Sequence, residues 1–240
     1  MPEHEIDHVV VVIPARDEEA TIAVAVDAVR TAAVNLPAPA TVDVVVVADA
    51  CSDRTVELAS EAGAHVIVCD EGNVGAARAL GCAWALDRAH DVGALWLALT
   101  DADSIVPADW LARHVEEARA GADVLLGTVE LEAAEARRHP RWLLGYRRRR
   151  TGADHGHVHG ANLGVRATAY LAVGGFLDLP LHEDVDLVTR LLADGATPAW
   201  VDDVAVTTSA RHLSRVTGGV ASDLAAGADV DTAPGRIDVA

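Results

Sequence analysis

Leu95-Trp96-Leu97-Ala98-Leu99-Thr100-Asp101-Ala102-Asp103-Ser104 is an apolar run that stops in two carboxylates one residue apart. Such a run, followed by Pro107 and then a helical pattern, reads as a strand buried on both faces, the kind found in a parallel sheet covered by helices. Its C-terminal end delivers Asp101 and Asp103 to the sheet edge at which open α/β folds bind ligands. Side chains at i and i+2 of an extended segment point the same way, so both carboxylates face one side and suit a hard divalent cation or a sugar hydroxyl. With 37 Asp and Glu in 240 residues, composition alone supplies about six acidic-x-acidic triplets, so the position at a strand end carries the weight. A capping and turn cluster is the competing reading.

Upstream, Val9 to Ile13 is a β-branched run that stops at Pro14. Pro14-Ala15-Arg16-Asp17-Glu18-Glu19 follows, with an amphipathic helix from about Glu18 to Ala33. This turn lacks the glycines of a dinucleotide fingerprint or a P-loop, so its backbone amides are not arranged to cradle phosphate. Val42 to Ala48 is a second buried strand, ended by Asp49-Ala50-Cys51-Ser52-Asp53, with Ser52 or Asp53 as N-cap of a helix from Arg54 to Glu61. Asp49 stands at the same level of the sheet as Asp101, where a carboxylate can accept from a base N–H or a ribose hydroxyl. Ala64 to Val68 is a third strand and Val74 to about Ala89 a helix. Gly75 and Gly81 inside that helix each cost about 1 kcal/mol relative to Ala, which points to a backbone or ligand approaching closely. Arg78, one turn in, either reaches that ligand or is solvated. The β-α-β-α-β-α-β order predicts a parallel, doubly wound sheet with its site at the carboxyl edge.

Downstream, a helix runs from Pro107 to about Ala120 and a strand from Asp123 to Leu131. Glu135 to Arg150 is helix-like and ends in Arg147-Arg148-Arg149-Arg150, a solvated face or an anchor for a phosphorylated group. His155, His157 and His159 alternate along an extended segment, but neighbours about 6.6 Å apart are widely spaced for one metal. His159-Gly160-Ala161-Asn162 leads into a short strand, and Ala167 to Val173 into a helix. His182-Glu183-Asp184-Val185-Asp186 opens another helix, to about Ala193. Acids in a first turn complement the helix dipole, and such a turn can also orient one carboxylate as a general base. Pro198 to Thr208 gives one or two strands, and from Gly218 the aperiodic chain reads as a disordered tail.

One domain, residues 1–217, is expected, because no linker divides the chain. The net charge is −18 with every one of the 19 basic residues an Arg. Such a chain repels nucleic acid and anionic lipid, and holds an anionic ligand only through a cation or a local Arg group. Three cysteines without C-x-x-C spacing indicate neither a disulfide framework nor a zinc site and fit a reducing cytoplasm. No apolar stretch approaches a membrane span.

Taken in order, the Pro14 to Glu19 turn, Asp49-Ala50-Cys51-Ser52-Asp53, Asn73-Val74-Gly75, Asp101-Ala102-Asp103, His159-Gly160-Ala161-Asn162 and Glu183-Asp184 resemble the family-2 glycosyltransferases of the GT-A fold, over residues 8–212. The resemblance implies an α/β architecture with a Rossmann-like, mainly parallel sheet and helices on both faces. It implies that Pro14, Ala15, Arg16 and Glu18 line a nucleobase and ribose pocket, with Asp49 on the base and Ser52 nearby. Asn73 and Arg78 would border the donor, Asp101 with Ala102 would hold ribose or a metal-bound water, and Asp103 would bind Mg²⁺ or Mn²⁺. His212 matches a late metal ligand of some relatives. Asp184, or else Glu183, would be the base.

The activity implied is metal-dependent transfer of one sugar from a nucleoside-diphosphate sugar to an acceptor hydroxyl on a small molecule, lipid-linked group or peptide, with inversion. A retaining GT-A transferase and a non-catalytic nucleotide-sugar binding module are the alternatives. A homodimer is open, and no nucleic-acid partner or integral membrane segment is expected. Processive members carry Gln-x-x-Arg-Trp and membrane helices, which are absent here. A sugar-nucleotide nucleotidyltransferase would need a Gly-rich, basic loop where Pro14 to Glu19 stands.

Overall fold

A computed structural model describes residues 5–36, 38–131, 133–138, 140, 146 and 155–209. The element order is β1 (His8–Ala15), α1 (Ile22–Val34), β2 (Thr41–Asp49), α2 (Thr55–Glu61), β3 (His65–Cys69), α3 (Val74–Arg88), β4 (Leu95–Leu99), β5 (Ser104–Ile105), α4 (Trp110–Arg119), β6 (Val124–Leu131), α5 (Ala133–Arg138), β7 (Leu163–Arg166), α6 (Ala167–Ala172), α7 (Glu183–Ala193) and β8 (Pro198–Thr208). Arg147 to Arg150, Arg211, His212 and the tail from Gly218 lie outside the described residues.

Eight strands form one sheet in the order β3-β2-β1-β4-β7-β6-β8-β5. β1 shows why it lies at the centre. Its alternate residues serve two cores: Val9, Val11 and Ile13 pack with α1 and α4, through Ile22, Val26, Trp110 and Leu111. Val10 and Val12 pack with α3 and α7, through Ala77, Cys82, Leu187 and Leu191. A strand apolar on both faces is what a helix-covered parallel sheet requires.

The structure departs from a uniformly parallel sheet at two strands. β7 enters antiparallel between β4 and β6, and β5 pairs antiparallel with β8. β5 follows β4 through a short turn with no helix between them, and antiparallel neighbours need no crossover connection.

Two boundaries also move. β1 continues through Pro14, which pairs with Val47. The Val12 carbonyl faces the β4 side, accepting from the Thr100 amide. Pro14, two residues on, presents its imide nitrogen to that same side beyond the end of β4, where no ladder bond is lost. Helix α1 begins at Ile22 rather than near Glu18, because the amides of Asp17, Glu18 and Glu19 donate instead to the Cys51 thiol, the Thr55 hydroxyl and the Asp53 carboxylate.

The α3 glycines are explained by protein neighbours. A Cβ at Gly75 would lie 2.6 Å from the Leu177 carbonyl oxygen and 2.7 Å from that of Leu179, and one at Gly81 would overlap Val12. These contacts seat the 177–179 segment on the start of α3 and α3 on β1.

Candidate active site

The loops after β1 and β2 are locked together at the C-terminal edge of the sheet. Asp17 takes a left-handed conformation with φ 48°, and its Oδ1 accepts from the Ser52 amide at 2.6 Å and the Ser52 hydroxyl at 3.0 Å. Strain of this kind in a non-glycine persists only where surrounding bonds fix it. Ala50, with φ 52°, repeats the device on the facing loop. Pro14 is half-buried, Ala15 is buried and its carbonyl accepts from the Cys51 thiol, and Arg16 is exposed beside Gly72. The Glu18 carboxylate accepts from Thr21, and Ser52 is exposed.

Asp49 and Asn73 are both engaged by the chain itself. The Asp49 carboxylate accepts the amides of Glu71 and Gly72 at Oδ1 (2.7 and 2.9 Å) and of Asn73 at Oδ2 (2.8 Å). These bonds hold its carboxyl below the usual carboxylate range against the opposing effect of burial. Asn73 caps α3, accepting from the amides of Gly75 and Ala76, and its side-chain amide donates to Asp178.

Arg78 is the hub. It is 4% exposed, one turn into α3, and its two terminal nitrogens take different partners. One donates to Glu183 at the start of α7 and the other to Asp101 Oδ1 at 2.6 Å, just past β4. One guanidinium therefore joins two segments 82 residues apart in sequence. Those carboxylates hold the Arg78 pKa above its ordinary value despite burial. Burial raises the Glu183 carboxyl above its ordinary value, with Arg78 opposing and Asp184 adding to the rise. Gly160 lies against the guanidinium so closely that a Cβ there would overlap it.

Asp184 is half-buried beside this hub. Its Oδ2 accepts from the Gly160 amide at 2.8 Å, and its Oδ1 from the Val185 amide at 2.8 Å at the positive end of α7. Asp101 is 35% exposed at its side chain, Ala102 is buried, and Asp103 is half-buried. The sequence thus found Arg78, Asp101, Glu183 and Asp184 as separate features, and the structure brings them together. It did not single out Asp17 as the lock between two loops or Gly160 as the donor to Asp184; two glycines flanking one turn were the available signal.

The three alternating histidines form a stacked column. His155 and His157 have ring centroids 5.6 Å apart and His157 and His159 5.7 Å, with Tyr146 stacked on His157 and Trp200 edge-on to His155. They are not among the ligand clusters found in the described residues. The Tyr146 hydroxyl accepts from the Val129 amide and bonds His159 Nε2 at 3.0 Å.

Burial pushes His159 down to about 4 and, in the core between Trp96 and Trp110, His114 down to about 3. Unfolded imidazoles titrate near pH 6.5, so below about that pH the unfolded chain binds more protons and stability falls. The expected loss is about 1.4 kcal/mol per pH unit for each imidazole until the folded state titrates too. Urea unfolding across this range checks it, and His114→Gln should flatten the slope.

Asp101 and Asp103 fit a hard ion: both offer carboxylate oxygen, both remain partly accessible, and Arg78 occupies only Oδ1 of Asp101. Among the described residues, the set of three whose ligand atoms all lie within 4.8 Å of one another is Asp17, Cys51 and Asp53. There burial pushes the thiol up, and the carboxylates bond Ser52, Thr55 and Glu19. That set locks loops and suits neither Mg²⁺ nor Mn²⁺.

The family model for glycosyl transferase family 2 matches residues 10–168, from β1 into α6. The chain belongs to glycosyl transferase family 2. Known structures carry the same GT-A architecture. TarS 1-349 of S. aureus in complex with UDP superposes with TM-score 0.61 at 15% identity, covering 84% of this chain and 60% of its own. The mannosyltransferase PcManGT of Pyrobaculum calidifontis, in complex with GDP-Man and Mn²⁺, gives TM-score 0.64 at 18% identity, with coverage of 88% and 59%. Glucosyl-3-phosphoglycerate synthase of Mycobacterium tuberculosis, in complex with Mn²⁺, UDP and phosphoglyceric acid, gives 0.57 at 18% identity, with coverage of 84% and 70%. The chain thus spans about six-tenths of the length of the first two. No curated protein matches its sequence. This family-2 glycosyl transferase domain has, among its described residues, no helix long and apolar enough to cross a membrane.

Proposed function

We propose that this domain transfers one sugar from a nucleoside-diphosphate sugar to an acceptor hydroxyl, with inversion and with Asp184 as general base. The observation that carries the reading is the Arg78 bridge: the guanidinium bonded to both Asp101 and Glu183 fixes the acidic end of β4 beside the start of α7. A donor site and a base must share one hollow, because a base acts only within hydrogen-bond reach of the hydroxyl it deprotonates.

In this reading Pro14, Ala15, Arg16, Glu18 and Ser52 border the nucleoside, and Asp49 serves it by shaping the 71–73 loop through three amide bonds. Asp101 meets the ribose side of the donor, with Ala102 packed beneath. Asp103 holds Mg²⁺ or Mn²⁺, and when bound that ion supplies positive charge against the diphosphate in a chain of net charge −18. His212, which lies outside the described residues, is the further ligand in this reading, as the family resemblance implies.

Asp184 accepts the acceptor proton. The Gly160 and Val185 amides orient its carboxylate and leave each oxygen further accepting capacity. Arg78, bonded through its two terminal nitrogens to Glu183 and Asp101, positions both acids. GDP-Man, UDP and UDP-GlcNAc in the structural relatives support a nucleotide-sugar donor. The soluble setting inferred from the sequence, a cytoplasmic one, belongs to this same reading.

A thermal-shift screen of UDP-, GDP- and dTDP-sugars with and without Mn²⁺ tests it. Stabilisation that requires the metal is expected, at about 2.7 kcal/mol when the donor stands at a hundred times its Kd. Indifference to every nucleotide would overturn the proposal. NMR of the product's anomeric configuration separates inversion from retention.

A further inference from the structure

We infer that Asn162 is a positioning residue that sets Asp103 and Asp184 relative to one another, an inference that rests on the functional reading above. Asn162 is fully buried, and its side chain bonds three fixed partners. Its Oδ1 accepts from Trp110 Nε1 at 2.8 Å, and its Nδ2 donates to the Thr128 carbonyl at 2.9 Å and the Val204 carbonyl at 3.0 Å.

Those two carbonyls sit at a break in the sheet. The β6–β8 register passes from Gly127↔Val201 directly to Val129↔Val206, so Thr128 faces the whole stretch 202–205. A bulge of this size leaves backbone oxygens that the ladder cannot satisfy, and the Asn162 amide satisfies one on each strand. Gly127 supplies the room, since a Cβ there would overlap that amide.

Beyond the bulge, β8 re-engages β6 from Val206 to Thr208 and at the same time carries β5. β5 is two residues long and pairs only with β8, with Ser104 Oγ and Thr208 Oγ1 3.0 Å apart. So short a strand has no stability of its own. Ser104 directly follows Asp103, so β8 beyond the bulge holds that acid from its C-terminal side, while the Ser104 amide's bond to the Asp101 carbonyl ties it to the end of β4.

At the other end of the same 3₁₀ turn, Gly160–Asn162, the Gly160 amide holds Asp184. One turn therefore fixes Asp184 with its first residue and the strand that returns to Asp103 with its last.

The test uses Asn162→Ala, with Leu111→Ala as a control that opens a cavity in the core shared with Val204 and Val206 without removing any bond of Asn162. Mn²⁺ binding in the presence of UDP is read by electron paramagnetic resonance, where circular dichroism shows each variant folded, beside kcat and KM. Asn162→Ala should weaken Mn²⁺ binding about tenfold or more and lower kcat, the scale on which supporting residues act on a metal site. Leu111→Ala should bind as wild type while its Tm falls. If Asn162→Ala shifts only Tm, the inference is overturned. Where that variant fails to fold, Trp110→Phe removes the indole donor, with part of the buried ring, while keeping Asn162, and should weaken Mn²⁺ binding in the same direction; wild-type binding there overturns it equally. Absence of Mn²⁺ uptake by the wild type with UDP, GDP or dTDP would instead sink the functional reading itself, and this inference with it.

Discussion

Asp184→Asn is expected to slow sugar transfer by about 10²- to 10⁴-fold, the range that a positioned general base contributes. The substitution keeps the shape of the side chain, and one amide oxygen can still accept from Gly160 or Val185. It removes the proton acceptor. Donor affinity, measured by calorimetry, should stay unchanged, since in the proposed function Asp184 serves the acceptor and its carboxylate is bonded to the Gly160 and Val185 amides. A loss confined to turnover is what separates an enzyme from a binding module. A variant that transfers sugar at the wild-type rate would remove Asp184 from the mechanism. Glu183→Gln should behave differently: Glu183 is 5% exposed and bonded to Arg78, so its loss is felt first in folding and in the placement of its neighbour.

The sheet was legible because its central strands are buried on both faces, and β-branched or apolar runs such as Val9 to Ile13 and Leu95 to Leu99, bounded by turn residues, read as strands at that length. The reversed strands were not legible. β7 is four residues long, and its direction depends on how the His155–Asn162 segment returns to the sheet, which no local periodicity records. The same holds for β5, whose two residues form a strand only because β8 reaches them.

The site divides along the same line. Carboxylates at strand ends and helix starts can be read from position, and Asp49, Asp101 and Asp184 were. Their partners cannot. Asp49 reads as a free acceptor in sequence, yet three amides more than 20 residues away converge on it. Arg78 reads as either solvated or facing a ligand, and only tertiary structure shows it bonded to Asp101 and Glu183. Asn162 reads as a turn residue, because the bulge it fills exists only once β6 and β8 are side by side.

Arg78→Met is expected to destabilise the fold by about 3–5 kcal/mol, because removing one member of a buried ionic group leaves the other charge without compensation. Of its two partners, Asp101 is partly exposed and can rehydrate, whereas Glu183 has no such route. The cost therefore falls on Glu183, whose carboxyl burial already raises above its ordinary value. Without the guanidinium that rise must grow. A carboxyl with a folded pKa above its unfolded value favours the folded state most below the unfolded pKa, and that advantage is lost as pH climbs through the folded pKa. Arg78→Met should therefore lag the wild type most at neutral pH and least near pH 4, measured as the difference in urea unfolding free energy. Glu183→Gln in the Arg78→Met background should recover much of the deficit, since a neutral amide can stay buried at lower cost. Arg78→Lys should fall between, because an ammonium keeps the charge but cannot hold two carboxylates in a fixed fork. If the two substitutions prove additive, with no recovery in the double variant, Arg78 and Glu183 are not the coupled pair that their contact indicates, and the bridge between β4 and α7 must be held by other groups.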